Sequence, residues 1–290
     1  MTGVIRIGIS GWTYSPWRGE FYPNMLRRKD ELAYAAAQFN TIEINGTFYA
    51  TQRPQSFLGW FEAVPDDFVF AVKGPRYITH FLRLRNVAIP LANFFASGVL
   101  RLGQKLGPVL WQFPPNMAFD EERFAEFFSL LPHDREAAAA CARRHDGRLK
   151  AEPSLKADAG LRLRHAVEIR HQSFRNPRFL VLLRRYDVAL VCADSVAWPR
   201  LMDVTSDFLY CRLHGASALY TSGYDEHALT AWARRIRRWA AGGEPRDAER
   251  ITGRAPVRQS GRDVFLYFDN DTKVKAPENA LTLARMVGAS

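Results

Sequence analysis

The 290-residue sequence has few cysteines: Cys141, Cys192 and Cys211, with no CxxC pair among them. This count argues against a disulfide framework or a zinc-finger site and favours unpaired thiols in a reducing compartment. No apolar run approaches the roughly 18 residues that cross a membrane. No basic segment followed by an apolar one opens the sequence, as a secretory leader would. We therefore expect a cytoplasmic protein without a membrane partner.

Cofactor signatures are also missing. Neither GxGxxG nor GxxxxGK[ST] occurs, so nothing indicates a bound dinucleotide or ATP. HxH and HExxH spacings are absent too, which leaves a divalent metal possible but unsupported. Acidic residues are in deficit, and the formal net charge is +10. Such an excess is typical either of a solvated arginine-rich surface or of attraction to nucleic acid and small anions.

Short apolar segments alternate with amphipathic segments along the sequence. We predict strands at 4–10, around 43, and at 68–73, 107–113, 165–170, 188–194, 208–214 and 263–269. Helical patterns lie between them, including 87–104 and 226–241. Strands that alternate with helices predict a parallel sheet with right-handed crossovers. A count of eight favours a closed (β/α)8 barrel, with an open doubly wound sheet as the alternative.

Two segments interrupt the alternation. The segment 133–163 is rich in arginine, alanine and charge, and the segment 242–262 is polar and contains glycine and proline. We interpret both as insertions into a single α/β domain that spans 1–290. The return through 195–206 is short, so we expect the sixth helix to be only a turn or two.

Each predicted strand ends in polar residues. Three pairs share i, i+2 spacing, which points both members to the same side of a strand: Glu43/Asn45, Glu168/Arg170 and Arg212/His214. The other strand ends add Ser10, Lys73, Gln112, His171, Asp194, Asp269 and Asn270. In a (β/α)8 barrel these ends meet at one mouth, where active sites lie. Because solvating a mouth does not require inward acids and bases, the pattern predicts a ligand-binding or catalytic site.

Several motifs occur in a fixed order along the sequence: GISGWTY at 8–14, FYP at 21–23, EINGTFY at 43–49, TH at 79–80, VLWQFPP at 109–115, VEIRH at 167–171, RLHG at 212–215, YFDND at 267–271 and NA at 279–280. In these motifs the chain resembles the YecE-like family (domain of unknown function 72). The resemblance implies a TIM-barrel-like fold and leaves the activity open. Gly46 and Phe174 depart from the family pattern, where Ser and Trp are usual.

Four acids are predicted to face one cavity and are the first candidates for catalysis: Glu43, Glu168, Asp194 and Asp269. Neighbouring carboxylates repel each other, which raises one pKa and creates an acid/base pair. Alternatively, basic residues at the same mouth neutralise the acids in a structural network. As a third alternative, the acids and nearby histidines bind a divalent metal.

The basic candidates have different chemistry. His214 is the preferred general base because imidazole titrates near neutrality, with a structural histidine as the alternative. Arg170 and Arg212 are suited to bidentate binding of a phosphate or carboxylate on the substrate. Lys73 is either a charge partner or an imine-forming lysine.

The remaining candidates are expected to contact substrate by hydrogen bonding or stacking. The hydrogen-bonding set is Asn45, His80, Gln112, His171 and Asn270. The stacking set is Trp12, Tyr49 and Tyr224, whose aromatic rings could stack on a sugar or a base. The alternative for both sets is capping and packing of loops. Cys211 alternates away from the side of Arg212 and is not expected to be a nucleophile.

Two functions from different classes fit these observations. The first is an enzyme (a hydrolase, lyase or isomerase) that uses acid/base chemistry on a small anionic polar substrate, such as a sugar, phosphate or nucleotide derivative. The second is a nucleic-acid-binding or metal-dependent phosphoester-cleaving protein, which the net charge and the aromatic loops suggest. The sequence specifies neither a cofactor nor an oligomeric state.

Overall fold

The computed structural model describes residues 2–149, 151–156, 160–255, 257, 260–270 and 274–289. Eight parallel strands form a barrel in chain order, and the barrel closes where Ile5 to Ile9 pair with Val264 to Phe268. The strands are β1 (Ile5–Ser10), β2 (Thr41–Ile44), β3 (Val69–Lys73), β4 (Leu106–Gln112), β5 (His165–Glu168), β6 (Val188–Asp194), β7 (Phe208–Leu213) and β8 (Asp263–Phe268). The predicted (β/α)8 barrel is confirmed, and the open sheet is not the fold.

Helices connect the strands. They are α1 (Glu31–Ala36), α2 (Gly46–Tyr49), α3 (Pro54–Glu62), α4 (Ala88–Ala96), α5 (Glu121–Ser129), α6 (Arg135–Ala142), α7 (Pro177–Arg185), α8 (Glu226–Ala240) and α9 (Lys275–Val287). The single helix predicted at 87–104 is wrong. Gly98 adopts a φ of 112° and separates α4 from a 3-10 helix at Val99–Lys105. The segment 195–206 contains no helix at all, so the expected sixth helix is absent there.

Side chains along each strand alternate between a layer under the helices and the inside of the barrel. The interior is filled by Ala71, Leu110, Ala166, Ala189, Val191, Ala193, Phe208, Tyr210, Phe265 and Tyr267. Alanines on β3, β5 and β6 leave room for the aromatic rings of β7 and β8, so the barrel is a packed core and not a pore. The next inward positions, toward the carboxyl ends of the strands, are polar. This packing sets the floor of the candidate site.

The first predicted insertion packs against the barrel. Arg135, at the start of α6, is buried and donates a hydrogen bond to the Leu106 carbonyl at 3.0 Å. Asp134 and Arg162 form an antiparallel bridge across the segment. These contacts attach it to the amino-terminal end of β4, far along that strand from the mouth. The single-domain interpretation of the chain stays a prediction.

None of the described helices combines the length and the apolar character that a membrane span requires.

Candidate active site

One buried arginine lies at the centre of the polar cluster in the barrel mouth. Arg212 on β7 is fully buried, and its guanidinium donates to Glu168 Oε2 at 2.6 Å and to Glu43 Oε1 at 2.9 Å. The same guanidinium lies 3.0 Å from Asp269 Oδ2. These carboxylates come from β5, from β2 and from the residue after β8. A single cation therefore joins three strands that converge on the mouth.

Glu43 is held by further hydrogen bonds. The Ser10 hydroxyl and the Tyr210 hydroxyl, the latter at 2.6 Å, donate to its two carboxylate oxygens. Asn45 Nδ2 in turn donates to Ser10 Oγ at 3.0 Å. Tyr210 was not among the predicted site residues. Its signal was nevertheless in the sequence, because it stands two positions before Arg212 on the same face of β7.

The charges in the cluster set the protonation of its acids. Burial alone would raise the pKa of Glu168, but Arg212 and Arg170 hold that pKa well below its usual range. The pKa of Asp269 is also lowered, because Arg212 and His214 outweigh its burial. Both groups are therefore carboxylates at neutral pH. The geometry supports the arginine-neutralised network over an acid with a raised pKa.

His214 lies between two of these carboxylates. Its Nδ1 is 2.9 Å from Asp269 Oδ2, and its Nε2 is 3.5 Å from Glu168 Oε2. The side chain is fully buried, and neither ring nitrogen has an aligned hydrogen bond to another described residue. The rings of Trp198 and Tyr220 pack edge-on against the imidazole at 5.1 and 5.6 Å. The imidazole is thus fixed in place by packing, with a carboxylate oxygen facing each of its nitrogens.

Lys73 brings a second basic group to the mouth from the end of β3. Only 6% of the residue is exposed, and its Nζ lies 4.3 Å from the centre of the Phe48 ring. Its ammonium donates no hydrogen bond to any residue that the structure describes. Burial, together with repulsion from Arg212, lowers the pKa of Lys73 to about 8. A larger fraction of the Lys73 amine is therefore uncharged at neutral pH than in an ordinary lysine.

His80 reaches the same mouth from a π-helical turn at Tyr77–Phe81. Its Nδ1 lies 2.8 Å from Thr79 Oγ1, and its ring meets the Phe48 ring edge-on at 5.1 Å. Burial and the nearby Arg170 lower the pKa of His80 to about 4. His80 is therefore a neutral imidazole at physiological pH. Phe48 is a shared wall between this imidazole and the lysine described above.

Arg170 lies at the solvent side of the cluster. Its Nε donates to Glu168 Oε1 at 2.8 Å, and its guanidinium lies 4.0 Å above the Trp198 ring. The side chain keeps 11% of its surface exposed. Gln112 ends β4 nearby, is buried, and makes no side-chain hydrogen bond to another described residue. Both side chains retain donors for an incoming ligand.

The outer rim combines aromatic rings with a cation. Tyr49 and Phe81 are 63% and 66% exposed. The exposed guanidinium of Arg76 lies 5.4 Å from the Tyr49 ring and 5.6 Å from the Phe81 ring. This arrangement leaves a positive, partly aromatic surface outside the neutralised interior.

Asp194 is not part of the cluster, although the sequence placed it there. On β6 the inward position is Ala193, so Asp194 points outward to the helix layer. Its carboxylate accepts hydrogen bonds from Arg200 Nη1 at 2.9 Å and from Trp232 Nε1 of α8 at 3.1 Å. It therefore fixes a helix and a loop to the barrel.

Other predicted contacts also serve the loops. The Tyr224 hydroxyl accepts from the Gly215 amide at 3.2 Å, and Asn270 Nδ2 donates to the Ser222 carbonyl at 3.0 Å. Asp271, the last residue of the YFDND motif, lies outside the described residues. Tyr224 and Asn270 therefore hold the loop after β7, as the capping alternative predicted for them.

Two more candidates pack locally at the edge of the mouth. The Trp12 ring meets the Trp60 ring edge-on at 5.5 Å. His171 Nδ1 lies 2.8 Å from Ser173 Oγ and caps the turn after β5. The geometry gives neither side chain a contact with the arginine-centred cluster.

A metal site was one alternative for the acids and histidines. Within the described ranges, no group of three or more His, Cys, Asp or Glu side chains is arranged to hold a metal ion. The positive charge among the three acids is supplied by the Arg212 guanidinium.

The closed barrel and the polar cluster at the carboxyl ends of its strands define a TIM-barrel-like α/β protein with a candidate active site. Comparison with family models then assigns the chain. The model described as "Protein of unknown function DUF72" matches residues 6–290, and the chain belongs to this family. The resemblance inferred from the motifs is confirmed.

Individual relatives agree with this assignment. The chain is 31% identical over 111 residues to UPF0759 protein YecE of Escherichia coli (strain K12), a match that covers 38% of each protein. It is similar in structure to a DUF72 family protein of Thermotoga maritima, with a TM-score of 0.73 and 24% identity. That match covers 98% of this chain and 99% of the other. A DUF72 family protein of Enterococcus faecalis is also similar, with a TM-score of 0.70 and 17% identity. That match covers 99% of this chain and 96% of the other. At these identities the solved structures show the fold alone.

Proposed function

We propose that this protein is an enzyme that performs acid/base chemistry on a small anionic polar substrate at the barrel mouth. The observation that supports this most is a pair of basic side chains inside the mouth: His214, whose ring nitrogens face the carboxylates of Asp269 and Glu168, and Lys73, whose ammonium donates no hydrogen bond to a described residue. A buried ammonium without a hydrogen-bond partner costs free energy, which a substrate that supplies the partner would recover. Acids and bases that are brought together in one cleft are typical of a catalytic site.

The cluster divides into fixed charges and groups free to exchange protons. Arg212 and Glu43 have their hydrogen bonds taken by neighbours, so they form the rigid base of the site. His214 is the general base, and the carboxylates of Asp269 and Glu168 on either side of its ring stabilise the imidazolium that forms. This arrangement resembles other sites where a carboxylate orients a catalytic imidazole.

The preference for an anionic substrate comes from the outer side of the site. Inside the mouth, Arg212 and Lys73 face the three carboxylates. Outside it, Arg170 retains donors beyond the two nitrogens that face Glu168, and Arg76 is exposed. A guanidinium binds carboxylate or phosphate with two parallel hydrogen bonds. The anionic group of the substrate therefore belongs at the rim, with the reacting carbon deeper in the mouth.

The test is a turnover screen followed by paired histidine variants. Phosphorylated sugars, sugar acids, keto acids and nucleotides are incubated with the protein, and their conversion or hydrogen exchange is followed by NMR. For a compound that turns over, His214→Gln should lower kcat by about 10²–10⁴-fold.

His165 provides the matched control. It is also a fully buried histidine, but its nitrogens are used by Trp111 Nε1 at 3.2 Å and the Pro132 carbonyl at 2.7 Å. His165→Gln should lower stability while each folded molecule keeps its turnover. Equal kcat in His214→Gln and the unaltered protein would contradict the proposal.

Nucleic-acid binding is a second candidate because of a basic surface on α8. An open cavity of about 870 Å³ is lined by five arginines: Arg234, Arg237, Arg238, Arg246 and Arg254. One acid, Asp247, also lines it. Fluorescence anisotropy with single- and double-stranded DNA and RNA tests this surface at two salt concentrations. Affinity that falls steeply with salt, and falls less steeply after Arg234→Ala and Arg238→Ala, supports it. No binding at low salt removes it.

A further inference from the structure

Two buried lysines of this protein differ in the hydrogen bonds that their ammonium groups make. Lys105 is 2% exposed, and its Nζ donates to the carbonyls of Phe61 at 2.8 Å and Val64 at 2.7 Å. Lys73 is 6% exposed and lies over a phenylalanine ring at the same 4.3 Å distance, yet it donates no hydrogen bond to a described residue. Lys105 is therefore a structural lysine, whereas the fold leaves the nitrogen of Lys73 available.

We propose that Lys73 is a nucleophile that forms an imine with a small aldehyde or ketone carrying a carboxylate or phosphate group. This inference rests on the proposed function, because the imine is the means by which the acid/base groups of the mouth would act on the substrate. An imine withdraws electrons from the neighbouring carbon, and a base close to it can then remove or return a proton there.

The surroundings of Lys73 favour the reactive form of its amine. A pKa of about 8, lowered first by burial and then by Arg212, leaves roughly a tenth of the amine neutral at pH 7. A lysine with the usual value of 10.5 is neutral in fewer than about one molecule in a thousand at that pH. The carboxylates of Glu43, Asp269 and Glu168 act on Lys73 in the opposite direction, which keeps the cation stable enough to be retained in the mouth.

The covalent step balances without an outside oxidant or reductant. The lone pair of the neutral amine attacks the carbonyl carbon, and a proton moves from nitrogen to the oxygen to give a carbinolamine. The carbon–oxygen bond then breaks as that oxygen takes a second proton and leaves as water, while the nitrogen lone pair completes the carbon–nitrogen double bond. Overall, one ammonium and one carbonyl group give one protonated imine and one water. The proton that the ammonium gives up when it becomes the neutral amine is the second proton that the oxygen takes.

The anionic group of the substrate is assigned to the cationic rim. Arg170 is partly exposed next to the mouth, and its guanidinium lies 4.0 Å from the centre of the Trp198 ring, which holds the side chain in place. This geometry favours 2-keto acids and phosphorylated aldehydes or ketones over neutral carbonyl compounds.

Reductive trapping tests the proposal directly. The full-length protein is mixed separately with pyruvate, glyoxylate and dihydroxyacetone phosphate in the presence of sodium cyanoborohydride, and adducts are located by peptide mass spectrometry. We expect one adduct per chain at Lys73, forming at least ten times faster than at the exposed Lys29 and Lys275. Its rate should rise with pH and level off above about 8, while surface labelling continues to rise.

Variants separate this chemistry from non-specific labelling. Lys73→Arg keeps a cation beside the acids but should abolish the main adduct, while circular dichroism shows that the protein is folded. Lys275→Arg should leave the labelling of Lys73 unchanged. Labelling that is absent at Lys73, or no faster there than on the surface, overturns the proposal.

The failure of this inference and the failure of the proposed function are distinguishable. If Lys73 is not trapped but His214→Gln still abolishes turnover, the imine is wrong and the acid/base enzyme stands. If Lys73 is trapped selectively but His214→Gln leaves turnover of the trapped compound unaltered, the nucleophile stands and His214 is not the base.

Discussion

The Arg212 guanidinium and the Glu168 carboxylate lie 2.6 Å apart, both fully buried, and they connect β7 to β5 across the inside of the barrel. These strands are not neighbours in the sheet, since β6 lies between them. The same guanidinium reaches Glu43 on β2, which is separated from β7 by β8 and β1. The cluster therefore supports the closed barrel as well as forming its mouth, and substitutions in it will affect stability and chemistry together.

Removing the central cation should be costly. In Arg212→Met the carboxylates lose their shared partner in a buried environment, so we expect the free energy of unfolding to fall by about 3–5 kcal/mol. Urea denaturation followed by circular dichroism measures this loss. The control is Arg27→Met, which removes an exposed ion pair to Asp30 and should cost less than about 1 kcal/mol. Similar losses in the two variants would show that the buried network does not stabilise the barrel.

The ionised acids predict a specific loss of stability in acid. The pKa values of Glu168 and Asp269 are lower in the folded protein than their usual values of 4.5 and 3.8. The unfolded chain therefore binds more protons as the pH falls, and stability is present above the unfolded pKa and lost below it. We expect the urea midpoint to decline steeply as the pH falls below about 5.

Glu168→Gln isolates one of these carboxylates. Other acids of the chain also titrate in this range, so the informative quantity is the difference between the variant and the unaltered protein. The variant should be less stable at pH 7, because the buried Arg212 then lacks one of its negatively charged partners. Its stability should also depend less on pH. A parallel decline in the two proteins would mean that Glu168 is not ionised in the fold.

Two tyrosines inside the barrel allow a comparison of hydrogen bonds. Tyr210 donates to the Glu43 carboxylate at 2.6 Å, and Tyr267 shares a 2.7 Å hydrogen bond with the Thr41 hydroxyl. Both rings are fully buried and their centres lie 5.1 Å apart. A hydrogen bond to a charged group contributes about 1.5–3 kcal/mol and one between neutral groups about 0.5–1.5 kcal/mol. Tyr210→Phe should therefore lower the free energy of unfolding more than Tyr267→Phe, and the reverse order would contradict the assignment of the stronger hydrogen bond to Tyr210.

The inward residues of three strands could be predicted because two polar residues at i, i+2 spacing mark the carboxyl end of each strand. On β2, β5 and β7, the i, i+2 spacing placed Glu43, Glu168 and Arg212 on one face, and the structure brings these side chains together. Strand β6 is different, because its residues 188–193 are apolar on both faces. Such a strand has no alternation from which to assign a face. The sequence therefore gave no reason to turn Asp194 outward.

Contacts made by loops were beyond prediction for another reason. Trp198 contacts both Arg170 and His214, but its position depends on the course of the helix-free return after β6. His80 was a candidate site residue, but the π-helical turn of five residues that brings it to the mouth is too short to show a period in the sequence. In both cases tertiary packing, and not a local pattern, decides where the side chain lies.

Gly98 explains why the helix predicted at 87–104 ends early, and it provides the last prediction. Its φ of 112° lies in a region that side chains rarely adopt, and a Cβ there would be 2.5 Å from Pro54 Cα and 3.1 Å from the Phe57 ring. Gly98→Ala should therefore lower the free energy of unfolding by more than about 2 kcal/mol, because strain adds to the displacement of α3.

Gly59, in the middle of α3, is the matched control for Gly98. A Cβ at this position would meet nothing within 4 Å, and Gly59 has ordinary helical geometry. Gly59→Ala should raise the free energy of unfolding by about 0.5–1 kcal/mol, since alanine loses less backbone entropy on folding. Urea denaturation of both variants checks the pair. If Gly98→Ala were as stable as Gly59→Ala, the close approach of α3 to the end of α4 would be wrong.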